Sequence, residues 1–166
     1  MKIGESAGNI PIIAFAAYSG SGKTTLIEKL IISLKEKGLR VAVLKHDGHN
    51  FEIDHEGKDS WRFARAGADI TMISSAEKTA YIEHRELTLT QMLGMIHDVD
   101  LILVEGFKHE PLPRIGIARK GNQKGFPAEL DNFIAVVTDM DVDTTVPRFG
   151  FHEIEGITAF ILETLH

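Results

Sequence analysis

The residues best suited to chemistry in this sequence lie in one short segment, which reads Ser-Gly-Ser-Gly-Lys-Thr-Thr. Gly20 and Gly22 allow the backbone to curl so that successive N–H groups point at one anion. Lys23 adds a compact positive charge, and the hydroxyl of Thr24 is a suitable ligand for Mg²⁺. The segment therefore predicts a phosphate-binding loop. Its members are Ser19, Gly20, Ser21, Gly22, Lys23, Thr24 and Thr25.

The residues on either side of this loop fit the same prediction. The apolar run 10–16 has the composition of a buried strand, and apolar residues recur on one face of a helix after Lys23. Strand, glycine-rich turn and helix form the context that a phosphate loop requires. Ala17 stands where the pattern G-x-x-x-x-G-K-[ST] begins with glycine. Because this position ends the strand, we expect a methyl group to fit there.

Composition sets the broad class of the protein. The 166 residues are 43% hydrophobic and 25% charged, with net charge −6 and no cysteine. These values predict one globular domain, residues 1–166, without disulfides, thiolate zinc sites or iron–sulfur clusters. The negative charge argues against nucleic acid as the main partner. The sequence shows no apolar span of 18 residues and no signal peptide, so we expect a cytoplasmic protein without a membrane partner.

Strand and helix signals alternate along the rest of the chain, which predicts an α/β fold. We expect the three-layer P-loop NTPase arrangement, a mostly parallel sheet flanked by helices on both sides. The further strands are predicted at 41–45, 70–74, 80–84, 101–105, 115–118 and 133–138. The helices are predicted from the glycine loop to Gly38, at 58–65, at 87–95 with Thr88 as a cap, and from 154 to 165.

Two acidic residues follow predicted strands, where ligands bind in parallel sheets. Glu105 ends the apolar run Leu101–Val104, and Asp47 follows the run 41–45. We predict that both serve Mg²⁺ together with Thr24, and that Glu105 and Asp47 act with Lys23 in catalysis by placing water or the terminal phosphate. The alternatives are a carboxylate that only caps a strand and a turn-forming aspartate before Gly48.

An acidic turn after the run 133–138 bears on which base is bound. Asp139 and Asp141 lie where an Asn-Lys-x-Asp guanine reader would sit, although that string is absent. A carboxylate there would accept hydrogen bonds from the guanine N1–H and exocyclic amine, a pair of donors that adenine lacks. The other reading is an acidic surface turn.

Other charged groups suggest further binding roles. The histidines at 46, 49 and 55 lack the spacing of a dedicated transition-metal site, so contact with nucleotide or an anionic second substrate is the favoured role. Lys58 and Arg62 share a helix face. With Lys108 and Arg114 they would bind a second phosphate group, or simply form a solvated basic surface.

Together these strings resemble the molybdopterin-guanine dinucleotide biosynthesis protein B family. The resemblance runs from about residue 12 to 139. Besides the loop, it rests on Lys-His-Asp at 45–47, Gly-Lys-Asp-Ser at 57–60, and Val-Glu-Gly-Phe-Lys at 104–108. Many proteins share a phosphate loop, whereas the other strings in this order are far more specific.

The resemblance implies a function that spacing alone does not show. Members of this family bind GTP with Mg²⁺, hydrolyse it slowly and form homodimers. They assist the guanylyltransferase that attaches GMP to molybdopterin, in the assembly or delivery of the molybdenum cofactor. Carried onto this chain, the loop would hold the phosphates, Thr24 and Glu105 would serve the metal, and Asp47 and Asp54 would lie near the terminal phosphate. The string 57–60 would face the cofactor or the partner enzyme.

We therefore predict a GTP-binding accessory protein with weak GTPase activity. The loop itself contains no arginine to stabilise the transition state, so that role would fall to Arg62, Arg65 or a partner chain. Slow turnover follows without one, because such an arginine contributes ~10³-fold or more. Two alternatives are a P-loop small-molecule kinase, for which the arginine-rich lid is not evident, and a non-catalytic adaptor shaped by bound nucleotide.

Overall fold

The computed structural model describes residues 10–48, 50–122 and 124–165. The chain divides into two compact units. The sheet unit comprises the described residues up to His46 and from Leu93 onward. The hairpin unit comprises the described residues from Asp47 to Met92. No helix in the described part of the chain is long and apolar enough to cross a membrane.

The sheet unit is built on a six-stranded sheet in which every neighbouring pair is parallel, in the order β2-β5-β1-β6-β7-β8. All six strands end at the same edge, and the loops that follow them share that edge. The strands are β1 (Ile12–Ala17), β2 (Val41–Lys45), β5 (Leu101–Glu105), β6 (Arg114–Ala118), β7 (Ala135–Thr138) and β8 (Arg148–Phe149).

Two helices pack on one face of this sheet. They are α1 (Lys23–Glu36) and α4 (Ile154–Glu163), and a short 3-10 helix (Leu130–Asn132) precedes β7. Apolar side chains at helical spacing on α1 and α4 meet alternate residues of the strands in one buried core. α1 ends as expected, because Gly38 takes φ of 84°.

The hairpin unit contains two antiparallel strands and a helix. β3 (Ile70–Ser74) pairs with β4 (Thr79–Glu83), and α2 (Asp59–Arg65) precedes them. A further helix, α3 (Leu89–Gly94), includes the last residues of the hairpin unit and the first residues of the following part of the sheet unit. Thr88 caps it as expected: the Gln91 N–H donates to the Thr88 hydroxyl at 3.2 Å, and the Thr88 N–H donates back to the Gln91 side chain at 2.9 Å.

The predicted α/β class, a mostly parallel sheet flanked by helices, is confirmed. The structure adds to or differs from the prediction in three details. β3 and β4 form their own antiparallel sheet, because their connection is too short for the crossover that parallel strands need. β7 begins at Ala135, since Phe133 instead packs against Gly116. β8, with only two residues, was not predicted. The single-domain assignment stays a prediction.

Candidate functional site

The loop between β1 and α1 has the curl that its sequence predicts. β1 ends at Ala17, which is buried, and α1 begins at Lys23. Gly20 and Gly22 take φ of 80° and 81°, in the left-handed region that favours glycine. The Gly22 residue immediately before α1 therefore turns the backbone from loop to helix without a side-chain cap.

Backbone donors collect at this turn. Within the described residues, the N–H groups of Gly20 and Gly22 donate to no protein acceptor, and neither do those of Lys23 to Thr25. The first bond into the helix runs from the Leu26 N–H to the Gly22 carbonyl, at 3.0 Å. Free N–H groups at the start of a 14-residue helix attract an anion by direct hydrogen bonding and through the helix dipole.

Lys23 and Glu105 come together at this site. Glu105 ends β5, which pairs with β1 so that Phe15 lies opposite Glu105. The Lys23 Nζ lies 3.1 Å from the Glu105 Oε1, and these side chains are only 20% and 15% exposed. Ligands bind beyond the carboxyl ends of parallel strands, and on that basis Glu105 was predicted to belong to the site. Its carboxylate does contact a residue of the phosphate loop.

The turn after β5 explains why glycine follows Glu105. Gly106 has φ of 98°, and a Cβ there would lie 2.8 Å from the His46 carbonyl oxygen. The His46 N–H donates to the Glu105 carbonyl at 2.8 Å, and the rings of His46 and Phe107 stand 4.6 Å apart. The ends of β2 and β5 are thus fixed to each other directly beside the Glu105 carboxylate.

Arg114 holds the remainder of this turn. Its guanidinium donates to the Gly106 carbonyl at 3.2 Å and also to the carbonyls of Phe107 and Glu110. Burial lowers the pKa of the Arg114 guanidinium, and the Glu110 carboxylate opposes that shift. Arg114 shares a small cleft with Lys23 and Lys108. Since its donors are used by backbone carbonyls, Arg114 organises the turn, and the hypothesis that it joins a second phosphate site loses support.

The two candidate base readers, Asp139 and Asp141, lie just beyond β7 as expected. The Asp139 Oδ1 accepts a hydrogen bond from the Lys120 N–H at 2.6 Å, which ties the loops after β6 and β7 together. The Asp141 Oδ1 lies 3.2 Å from Nη1 of Arg148, and the Asp141 side chain is fully exposed. The guanine-reading role stays a prediction for both.

The remaining candidate residues belong to the hairpin unit. The Asp54 Oδ1 accepts hydrogen bonds from the His55 N–H at 2.8 Å and the Ser60 hydroxyl at 3.0 Å. Arg62 pairs with Asp59 at 3.6 Å, on the surface. Asp47 opens this unit, so its catalytic and metal roles stay predictions. The histidine at position 49 lies outside the described residues.

Two residues that the sequence reasoning missed contact the phosphate loop. Arg119 follows β6 and places its guanidinium against Gly22. The Asn122 side-chain amide donates to the Ser19 carbonyl at 2.9 Å and to the buried Ser21 hydroxyl at 3.1 Å. The strand-end rule that selected Glu105 would have selected Arg119 as well, because β6 is the other neighbour of β1.

The oxygen ligands present suit Mg²⁺ better than a transition metal. Among the described residues no group of three or more His, Asp or Glu side chains is arranged around one metal position. Mg²⁺ needs only one or two protein oxygens, because it keeps several waters and takes oxygens from phosphates. The exposed Thr24 hydroxyl, in the first turn of α1, and the Glu105 carboxylate fit that requirement.

The sheet order and the glycine-rich turn between β1 and α1 define an α/β protein of the P-loop fold class. Residues 12–139 match the family Molybdopterin guanine dinucleotide synthesis protein B. The chain belongs to this family, and the predicted resemblance is confirmed.

Individual relatives agree with that membership. The chain is 40% identical over 164 residues to the molybdopterin-guanine dinucleotide biosynthesis adapter protein of Escherichia coli, covering 93% of each. It is 39% identical over 162 residues to the protein of the same name from Haemophilus influenzae, covering 95% of this chain and 90% of that one. The crystal structure of Bacillus subtilis MobB superposes with a TM-score of 0.77 at 30% identity, covering 95% of this chain and 99% of that one.

Proposed function

We propose that the protein binds GTP with Mg²⁺ and acts as an adapter in molybdopterin guanine dinucleotide biosynthesis. The observation that carries the proposal is the set of N–H groups of Gly20, Gly22 and Lys23 to Thr25, which have no acceptor among the described residues and curl beside the Lys23 ammonium. The family supplies the pathway, since two relatives of nearly full coverage are named adapter proteins of it.

In this proposal each residue of the site has a distinct task. The loop N–H groups hold phosphate oxygens, and Lys23 turns from Glu105 to the outer phosphates. The Thr24 hydroxyl and the Glu105 carboxylate would hold Mg²⁺, which neutralises charge on the phosphate oxygens when bound. Glu105, released from Lys23, orients the attacking water.

Slow hydrolysis follows from the same site. Within the described sheet unit, Lys23 is the side-chain cation that lies beside Glu105, and Arg114 is engaged by backbone carbonyls. An arginine that reaches the γ-phosphate contributes ~10³-fold or more in phosphoryl transfer. Single-turnover release of phosphate from GTP tests this point, and a rate of tens per second by the isolated protein would contradict it.

For base preference we propose Asp141 as the guanine reader. The Asp141 side chain is fully exposed and pairs with one surface arginine, Arg148, which also donates to the Met140 carbonyl at 3.3 Å, whereas the Asp139 carboxylate accepts from the Lys120 backbone N–H at 2.6 Å. Asp141→Asn should bring the affinity for GTP close to that for ATP, because the amide presents a donor where guanine needs acceptors. Asp143→Asn, two residues further on, is the matched control. Equal affinity of the unaltered protein for GTP and ATP would contradict the proposal.

We propose the guanylyltransferase, and through it molybdopterin, as partners of the protein in this adapter role. The test is GMP attachment by the purified guanylyltransferase with and without this protein. Stimulation should need GTP-loaded protein and should disappear in Lys23→Ala. If Glu105→Gln saturated with GTP still stimulates, bound nucleotide suffices; if the saturated variant does not, hydrolysis is required. No stimulation by the unaltered protein would contradict the adapter role. A cytoplasmic location stays a prediction.

We also propose that the protein is a homodimer joined through the hairpin unit. β3 and β4 form an isolated two-stranded sheet, which alone is marginally stable. Apolar side chains remain exposed there, including Ile53 at 69% and Met72 at 64%. Light scattering should give a dimer mass, and Met72→Lys should give a monomer. Ile32→Lys, at an exposed apolar position of α1, should leave the dimer intact.

A further inference from the structure

The strand that carries the phosphate loop has one neighbouring strand on each side. β1, which carries the loop, lies between β5 and β6. Glu105 ends β5 and meets Lys23, whereas Arg119 is the first residue after β6. The next strand outward is β7, whose following turn holds Asp139. Along the sheet edge, Arg119 therefore stands between the phosphate loop and the turn assigned to the base.

The guanidinium of Arg119 is held in place from two directions. A Cβ on Gly22 would lie 3.2 Å from its Nη2 and 3.4 Å from its Cζ. Its Cζ also lies 4.1 Å from the centre of the Phe151 ring, in the turn after β8. Stacking on an aromatic ring orients the planar group while leaving its N–H edge available.

Arg119 has charge and donors that the described protein does not use. Within the described residues, no carboxylate pairs with Arg119 and no acceptor takes a hydrogen bond from its guanidinium. Lys23, by contrast, is paired with Glu105. An oriented cation with no counterion among the described residues, next to unused backbone N–H groups, is suited to a phosphate oxygen.

Hydrogen bonds join the segment 119–122 to the phosphate loop on one side and to the turn after β7 on the other. The Asn122 side chain donates to the Ser19 carbonyl and the Ser21 hydroxyl, and the Asn122 N–H donates to the Arg119 carbonyl at 2.8 Å. The Lys120 N–H donates to Asp139 at 2.6 Å. Arg119 is thus positioned by the phosphate loop on one side and by the base-side turn on the other.

We infer that Arg119 binds the α-phosphate of the nucleotide, with Asn122 as a positioning residue that keeps the loop and the guanidinium in register. The inference rests on the proposed nucleotide function and deepens it. Arg119 faces the Gly22 side of the loop, between the loop and the base-side turn, whereas the γ-phosphate belongs with Lys23 and Glu105. The contact therefore forms equally with GTP, GDP and GMP, and it strengthens binding rather than hydrolysis.

The test compares Arg119→Ala, Arg119→Lys and the matched control Lys120→Ala by calorimetric titration with GTP, GDP and GMP in Mg²⁺. Arg119→Ala should weaken binding of GTP and GDP by the same factor, about 10- to 100-fold, as expected for a charge-assisted bidentate contact. Arg119→Lys should recover part of the loss, because lysine keeps the charge and lacks the planar fork. Lys120→Ala should change affinity by less than about threefold.

Each remaining outcome decides a different point. Thermal unfolding without nucleotide should change only slightly in Arg119→Ala, since the side chain is exposed and loses only its stacking on the Phe151 ring. Nucleotide binding by the unaltered protein, with equal binding by Arg119→Ala, would overturn this inference alone. A loss of turnover with unchanged affinity would move the guanidinium to the γ-phosphate and overturn it too. Absence of binding by the unaltered protein would instead refute the proposed function.

Discussion

Replacing Glu105 by glutamine should make nucleotide binding less dependent on Mg²⁺. Without the metal, a triphosphate must separate Lys23 from Glu105 and then tolerate the freed carboxylate beside it. With the metal, the proposed role of the same carboxylate is that of a ligand. Glutamine is nearly isosteric, still accepts a hydrogen bond from Lys23, and carries no charge.

The geometry sets the size of the effect. Two unit charges 3.1 Å apart attract with about 5 kcal/mol at an effective dielectric constant near 20. Both side chains keep partial contact with solvent, at 20% and 15% exposure, and their desolvation offsets part of that attraction. We take a net coupling of about 1–3 kcal/mol, which corresponds to roughly 5- to 150-fold in affinity.

The assay is a titration of a fluorescent GTP analogue in Mg²⁺ and in a chelator. Glu105→Gln should bind the analogue about 5- to 150-fold more tightly than the unaltered protein in chelator. The factor by which Mg²⁺ raises the affinity should be smaller in Glu105→Gln than in the unaltered protein, by at least the same ratio. Glu28→Gln, which removes one charge from an exposed position of α1, should behave like the unaltered protein. Unchanged or weaker binding of the analogue by Glu105→Gln in chelator would refute the reasoning.

Two further predictions concern the stability of the scaffold, one beside the site and one at the far end of α1. Gly106→Ala should lower the free energy of unfolding by about 1–3 kcal/mol in urea titrations, because φ of 98° and a 2.8 Å approach to a backbone oxygen both oppose a Cβ. Gly121→Ala, which faces open space, should cost less than about 1 kcal/mol, and equal losses would contradict the account. Glu155 has its pKa lowered by hydrogen bonds from Lys37 and Ser33, so its stabilisation is present above the ordinary pKa of 4.5 and is lost as pH falls through the lower folded value. Glu155→Gln should therefore lower the urea midpoint at pH 7, and the difference should close in acid; a difference independent of pH would contradict it.

Local sequence signals were sufficient for the centre of the site. Gly20 and Gly22 adopt the left-handed backbone that their spacing predicts, and the flanking strand and helix appear within about two residues of the expected bounds. These features depend on interactions between residues close in sequence. The strand-end position of Glu105 was predictable for the same reason, since an apolar run followed by acid and glycine fixes where the strand stops.

The errors arose where distant residues determine the structure. Phe133 belongs to no strand because it fills the space above Gly116, where a Cβ would lie 2.6 Å from the ring. β8 is two residues long and is defined by pairing with β7 rather than by its own propensity. Arg119 follows a predicted strand, but nothing in the sequence distinguishes it from the residues after other strands. Its place beside the phosphate loop depends on the pairing of β1 with β6 and on Phe151, more than thirty residues away.

The central claim is that the curl before α1 binds a purine triphosphate. The most direct measurement is calorimetric titration of the purified chain with GTP in Mg²⁺, alongside Lys23→Ala and the control Lys29→Ala on the exposed face of α1. We predict saturable binding of one nucleotide per chain, weakened at least tenfold in Lys23→Ala and unchanged in Lys29→Ala. The account would be contradicted if the folded, unaltered protein gave no heat of binding with GTP and if neither ATP nor GTP displaced a fluorescent GTP analogue from it.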